Sequence, residues 1–255
     1  MAGIPGSGKS TAAEVLTQRF GAEGYDVIFR TDKAVLDEKV AEDVFRFEND
    51  EGRYLDGALV GEHSILLNPE SPQGLFQVRF VDAHALNTAH TTLLERVAAF
   101  HQENTDPKKL LIVELAYGKD SKPFYDGSVI RQTGTQYMEW FTQYGMLPHL
   151  AMLDVVSSFE VRLARNLARD THKIPEEVFR ELFPEEGHFT QSEIKMFGSR
   201  YWRIDNLGLT PAELERYAGE VHMLYEQHIL PFVREGFPPQ SAEGASRGGP
   251  RLEMR

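Results

Sequence analysis

The chain contains no cysteine, which excludes disulfides, thiolate metal sites and cysteine nucleophiles and is compatible with a reducing cytosol. It has no apolar run of membrane-spanning length, and its N-terminus lacks the basic-then-apolar order of a signal peptide. A cytoplasmic location is therefore expected. Positive charge is scarce: 27 basic against 39 acidic side chains leave a net charge of −12. That balance repels nucleic-acid phosphates and anionic membranes unless the basic residues cluster, so neither extended nucleic acid nor a membrane is expected as a partner. The histidines have no H-E-x-x-H or comparable metal spacing, so His63, His84 and His90 read as structural and zinc is not indicated. Trp140, Phe141 and Tyr144 fall at helical spacing and read as core rather than as a base-stacking platform. No internal repeat is evident.

What is present is enough for one sizeable core: 255 residues, of which 41% are hydrophobic. The organisation reads as one domain over 1–236, with an insertion at about 46–77 and a Pro-, Gly-, Ser- and Arg-rich tail over 237–255 that is expected to be disordered. Helical spacing predicts helices over 11–20, 34–45, 82–102, 129–144, 159–170 and 211–232, with another opened by Pro175. Apolar runs predict strands over 25–30, 110–114, 148–156 and 201–205. Gly52, Gly57, Gly61, Pro69, Pro72 and Gly74 interrupt the 46–77 segment, which fits no sustained period. Alternating strands and helices predict an α/β fold: a parallel sheet flanked by helices in three layers, with ligands at the strands' C-terminal edge.

The strongest motif is Gly3-Ile4-Pro5-Gly6-Ser7-Gly8-Lys9-Ser10-Thr11, which satisfies every fixed position of the phosphate-binding loop G-x-x-x-x-G-K-[ST] and runs into a helix. Its glycines turn the chain so that backbone N–H groups and a helix N-terminus face phosphate. Gly3, Pro5, Gly6, Ser7, Gly8, Lys9, Ser10 and Thr11 are thus the expected nucleotide-binding residues. Lys9 is expected to reach the β- and γ-phosphates, and Ser10 to complete a magnesium shell. Such a loop normally hangs from a buried apolar strand, yet only Met1 and Ala2 precede it. An upstream segment of about four to eight apolar residues is expected, by usual strand length; otherwise another segment must fill the central slot.

Three further elements follow. Glu114 ends the Leu110–Val113 run and is placed to hold magnesium, although any buried strand must end somewhere and a carboxylate there can also be simply solvated. Asp32 lies past the second predicted strand, as a base or orienting group for an attacking hydroxyl, or as an N-cap for the helix starting near Ala34. Arg162, Arg165 and Arg169 stand at i, i+3 and i+7 on one helix stripe, fit to close over transferring phosphates or to form a solvated face beside Glu160 and Asp170.

With these elements in this order, the chain resembles the P-loop kinases grouped around zeta toxins and polynucleotide kinases, over Gly3 to about Phe232. The resemblance implies a P-loop NTPase, nucleotide-kinase-like fold, with Asp32 as catalytic base and Arg162, Arg165 and Arg169 as lid arginines alongside Lys9. It also implies that Arg203-Ile204-Asp205-Asn206-Leu207-Gly208 is the last strand and a loop near adenine, so that Asn206 joins the nucleotide-binding set. Glu114 stands where that group more often has aspartate. The expected activity is transfer of the γ-phosphoryl of ATP, with Mg2+, to a small-molecule acceptor such as a nucleotide, nucleotide sugar or related metabolite. A nucleotide hydrolase, or a toxin-like or regulatory module that only binds, stays open beside it.

Overall fold

The structure, a computed structural model, describes residues 1–3, 5–50, 54–55, 58–60, 62–67, 77–80, 82–115, 122–123, 128–130, 134–169, 174, 176, 179–180, 183, 189–206 and 208–235. The expected 237–255 tail lies outside the described residues, as do Ile4, Pro175 and much of the 46–77 insertion. Among the described residues no helix is long and apolar enough to cross a membrane.

The glycine-rich loop leads into α1 (Lys9–Ala22), whose apolar stripe of Ala12, Ala13, Leu16 and Phe20 is buried. Gly24 then takes a positive φ of 79°, a left-handed turn that glycine adopts at least cost. The chain continues as β1 (Asp26–Thr31) and α2 (Asp32–Asp50). Across the insertion and just past its end, β2 (Tyr54–Leu55), β3 (Ala58–Val60), β4 (Ser64–Leu67) and β5 (Gln77–Phe80) form an antiparallel sheet in that order. Next come α3 (His84–Glu103), β6 (Lys109–Glu114), the short pair β7 (Lys122–Pro123) and β8 (Val129–Ile130), and α4 (Gly134–Gln143). The second half holds β9 (Met152–Val156), α5 (Phe159–Leu167), α6 (Gln191–Phe197), β10 (Tyr201–Asp205), α7 (Pro211–Leu224) and α8 (Leu230–Glu235).

Two parallel pairs carry the site. β1 runs beside β6 from Asp26↔Lys109 to Thr31↔Glu114, and β9 runs beside β10 from Met152↔Tyr201 to Val156↔Asp205. Ala2 joins them, bridging Leu115 on one side and Asp154 on the other. Ala2 N donates to Leu153 O at 2.9 Å, Ala2 O accepts from Val155 N at 2.9 Å, and Gly3 N donates to Leu115 O at 3.2 Å. The order across the molecule is thus β1, β6, Met1–Gly3, β9, β10. Among the described residues, the place expected of the inner strand is taken by this Met1–Gly3 stub, bridged at Ala2.

Apolar side chains of alternate strand residues divide between two cores, as a two-residue period requires. Leu110, Ile112, Leu153, Val155 and Ile204 pack with α1, α7 and α8. Ala2, Leu115 and Met152 pack with Val35 of α2, Leu93 and Val97 of α3, Phe141 of α4 and Phe197 of α6. Helices therefore cover both faces of the parallel strands, and the chain is α/β. Trp140 and Phe141 are buried in the second cluster, with Tyr144 packed against it.

Three sequence expectations need correction. The 129–144 segment is not one helix: Val129–Ile130 pairs antiparallel with Lys122–Pro123, and the helix begins only at Gly134. The β-branched Val129 and Ile130 favour extended backbone, and Gly134, costly inside a helix, stands at the first helical position instead. The 148–156 segment opens as a 3-10 turn over Leu147–His149, so its strand starts at Met152. The long final helix carries a π-turn at Tyr225–Ile229 before Leu230–Glu235. Pro231 has no N–H to continue the ladder, and the wider turn absorbs that break.

Candidate functional site

The loop between the Ala2 stub and α1 is shaped by close backbone approach. Gly8 (φ 102°) precedes α1 in a left-handed conformation and supplies no side-chain cap, leaving the first-turn amides of α1 without the usual side-chain acceptor. A Cβ on Gly8 would collide with Asn206 Nδ2, and one on Gly6 (φ 85°) would lie 2.8 Å from Arg162 O. Glycine is required at both positions on two counts, φ and space.

Struts from three other elements hold the loop. Asn206 Nδ2 donates to Ser7 O at 2.9 Å, and Tyr217 of α7 donates its hydroxyl to Gly8 O at 3.1 Å. Arg165 donates to Gly6 O at 3.1 Å, to Ser7 O at 3.3 Å and to Asn206 Oδ1 at 2.7 Å, and also to Gly208 O. Asn206 is itself fixed, since its carbonyl accepts from Ser157 Oγ at 2.5 Å and its N–H donates to Val156 O at 2.7 Å. The end of β10 thereby sets the shape of a loop that lies about 200 residues earlier in the chain.

Three functional groups converge at the mouth of this loop. Lys9 is buried, donates Nζ to Gly3 O at 2.7 Å, and lies 3.7 Å from Glu114 Oε1. The Ser10 hydroxyl donates to the same carboxylate at 3.1 and 3.3 Å. Burial pushes the Lys9 ammonium down, while the negative charges of Glu114 and Asp32 push it back up and Arg169 lowers it. Glu114, Asp32 and Arg169 are thus all electrostatically within reach of the Lys9 amine. Pro5 is half-buried in the loop, and Thr11 half-buried in the first turn of α1.

Asp32 is the first residue of α2 rather than its N-cap. Thr31 Oγ1 takes the capping bond, accepting from Ala34 N at 2.9 Å, and Asp32 Oδ1 accepts from Lys33 N at 2.7 Å. The Thr31↔Glu114 pairing sets Asp32 beside the end of β6, so the two carboxylates occupy one edge of the sheet.

The arginine stripe divides into three environments. Arg162 is 1% exposed, donates Nε to Ser157 O at 3.1 Å and Nη1 to Phe183 O at 3.0 Å, and lies over the Phe159 and Phe179 rings. Arg165 is half-buried on the loop backbone. Arg169 lies beyond the end of α5, exposed, with its charge felt at Lys9. Sequence reasoning missed Tyr217 and Ser157; no local pattern marks a residue whose partner is distant in the chain.

Histidine chemistry lies elsewhere. Asp43 accepts from the backbone N–H groups of Glu62 and His63 at 3.0 Å each, and His63 Nδ1 pairs with Asp82 at 2.6 Å. Ligand atoms of Asp43, Glu62 and His63 lie within 4.8 Å of one another, and their bonds tie the insertion to α2 and to the start of α3. His90 is buried against the Tyr137 hydroxyl.

No protein-family model and no curated protein matches the chain.

Proposed function

We propose that the chain is an ATP- and magnesium-dependent phosphotransferase of P-loop NTPase, nucleotide-kinase-like architecture, acting on a small-molecule acceptor such as a nucleotide, nucleotide sugar or related metabolite. The observation that carries this reading is the convergence of Lys9, Ser10 and Glu114 at the mouth of a glycine-shaped loop. The donor set is a hydroxyl and a carboxylate, hard oxygen ligands of the kind magnesium takes. The fully buried Ser7 and the glycines at positions 6 and 8 leave the backbone, not side chains, to face a phosphate chain.

Each residue then has a distinct task. The α1 first-turn amides and Lys9 hold and neutralise phosphate oxygens, Lys9 exchanging its Gly3 carbonyl for them. Ser10 and Glu114 would hold magnesium, which would supply neutralising positive charge beside the phosphates. Asp32 accepts the proton of the acceptor hydroxyl or orients it in line. Arg169 stabilises charge on the transferring group. Arg165 and Asn206 act as positioning residues, through the loop backbone, and Arg162 secures α5.

Screening acceptor pools with γ-labelled ATP tests the reading, and the paired variants Lys9→Ala and Asp32→Asn divide it. Lys9→Ala is expected to abolish most ATP-dependent thermal stabilisation. Asp32→Asn is expected to keep that stabilisation and lose transfer. Equal loss of ATP binding in both refutes this division, and ATP turnover unchanged across all acceptor pools assigns the site to hydrolysis instead.

A further inference from the structure

Away from the glycine loop, α2, the insertion and the start of α3 bring a second set of polar side chains together. Asp43 of α2 is 8% exposed, and its two carboxylate oxygens accept from Glu62 N and His63 N at 3.0 Å each. These bonds fix the carboxylate against the Glu62–His63 backbone and leave each oxygen a second lone pair. Asp82 is held as firmly, since its Oδ1 accepts from His84 N at 2.7 Å while its Oδ2 lies 2.6 Å from His63 Nδ1. An ionised carboxylate only accepts, so Nδ1 carries the proton and Nε2 of the neutral ring presents its lone pair on the other side. That side faces Glu62, whose Oε1 is 3.9 Å from Nε2. The His84 ring stacks on that of His63, with centroids 4.0 Å apart, and limits its rotation. No short spacing marks this set in the sequence, because its members come from three elements.

We propose that Asp43, Glu62 and His63 form a binding site for one divalent transition-metal ion, of which zinc fits best. Donor atoms of the three lie within 4.8 Å of one another, and a tetrahedral zinc shell with bonds of about 2.0–2.1 Å needs them about 3.3 Å apart. The Glu62 side chain, 60% exposed, is free to swing across that difference, and its open side admits the ion together with a water as fourth ligand. Metal-bound histidines usually donate their other ring N–H to a carboxylate, and Asp82 occupies that place for His63. Carboxylates flanking both nitrogens of one imidazole also favour a positive ion between them. The imidazole donor selects against magnesium and calcium, which take oxygen ligands. The bound ion ties the insertion to α2 and, through Asp82, to the start of α3, so its contribution is to folding rather than to catalysis. It needs neither nucleotide nor Lys9, and it stands or falls apart from the proposed phosphotransfer.

The test titrates zinc chloride into the nucleotide-free, chelator-treated 255-residue chain by calorimetry, and follows Tm with zinc, with magnesium and with neither. One zinc ion per chain is expected, with a rise in Tm of about 5 °C or more at a 100-fold excess over Kd. Asp82→Asn, outside the ligand set, is expected to weaken zinc about 10-fold, and Glu62→Gln and His63→Gln to weaken it further. Glu62→Gln, at an exposed position, should keep the metal-free Tm within about 2 °C, which separates loss of a ligand from loss of the fold. His149→Gln alters the other facing histidine pair, whose rings lie 4.7 Å apart with His101, and should leave zinc binding unchanged. Absence of a one-to-one zinc complex overturns the proposal. So does unchanged affinity in Glu62→Gln and His63→Gln, or a loss confined to His149→Gln. An equal Tm rise with magnesium that survives His63→Gln overturns it too, since carboxylates alone then suffice.

Discussion

The arginine stripe offers the sharpest test, because one helix carries three guanidinium groups in three environments. Replacing Arg162 by Ala removes two charged donors from the carbonyls of Ser157 and Phe183 and empties the space beside the Phe159 and Phe179 rings. Each hydrogen bond to a charged group contributes about 1.5–3 kcal/mol, so the loss is about 3–6 kcal/mol, before any gain from relaxation around the site. For a chain of this size, 1 kcal/mol moves Tm by about 2–4 °C, which puts the fall on the order of 10 °C or more. Arg162→Met keeps most of the stem volume and should recover only the packing share. Arg169→Ala, at an exposed position, should alter stability by no more than about 0.5 kcal/mol, while lowering the proposed phosphoryl transfer. Differential scanning fluorimetry with urea titration reads all three. A Tm change below about 2 °C in Arg162→Ala, or an equal fall in Arg169→Ala, refutes the assignment of Arg162 to structure.

Two further outcomes follow from the same geometry. Gly8→Ala combines a φ of 102° with a collision at Asn206, so it should cost about 1–3 kcal/mol of stability and weaken nucleotide binding; unchanged binding by calorimetry would show that the loop shape does not matter. Burial pushes the His90 imidazole down to about 3, so between the ordinary value of about 6.5 and about 3 the unfolded chain binds a proton that the folded chain does not. Stability contributed by neutral His90 is thus complete above about pH 6.5 and falls as pH drops through that window. His90→Gln, which does not titrate, should flatten the slope by up to about 1.4 kcal/mol per pH unit; parallel slopes from urea unfolding at pH 6.5, 5.5 and 4.5 contradict it.

Much of the fold was legible because its signals are local. The Leu110–Val113 run, the Val27–Phe29 run and the buried face of α1 each follow from residues within a few positions of one another. The failures were local conflicts that tertiary pairing resolved: Val129–Ile130 went to a strand because a partner was available at Lys122–Pro123, and Pro231 forced a wider turn within a helix whose apolar period continued. The insertion resisted reading because short antiparallel strands, such as Ala58–Val60, hold too few residues to show a period. Within the candidate site, Lys9, Ser10 and Glu114 were legible from motif and strand end. The partition of the arginines was not, since spacing predicts only a shared stripe and says nothing of what packs on each part of it.

The sequence by itself determined the chemistry available: a glycine loop with lysine and serine at its end, a carboxylate closing an apolar strand, an aspartate after another, and an excess of acid with no thiol. These are properties of residue type and short spacing, which no later folding step alters. Only the tertiary structure decided which groups meet. It seated Ala2 between Leu115 and Asp154 and brought Glu114 to Ser10 across an interval of 104 residues. It also gave the loop its Asn206, Arg165 and Tyr217 struts. Such contacts depend on the parallel pairing of distant strands, whose register is set by burial on both faces of the sheet rather than by any residue's neighbours in the chain.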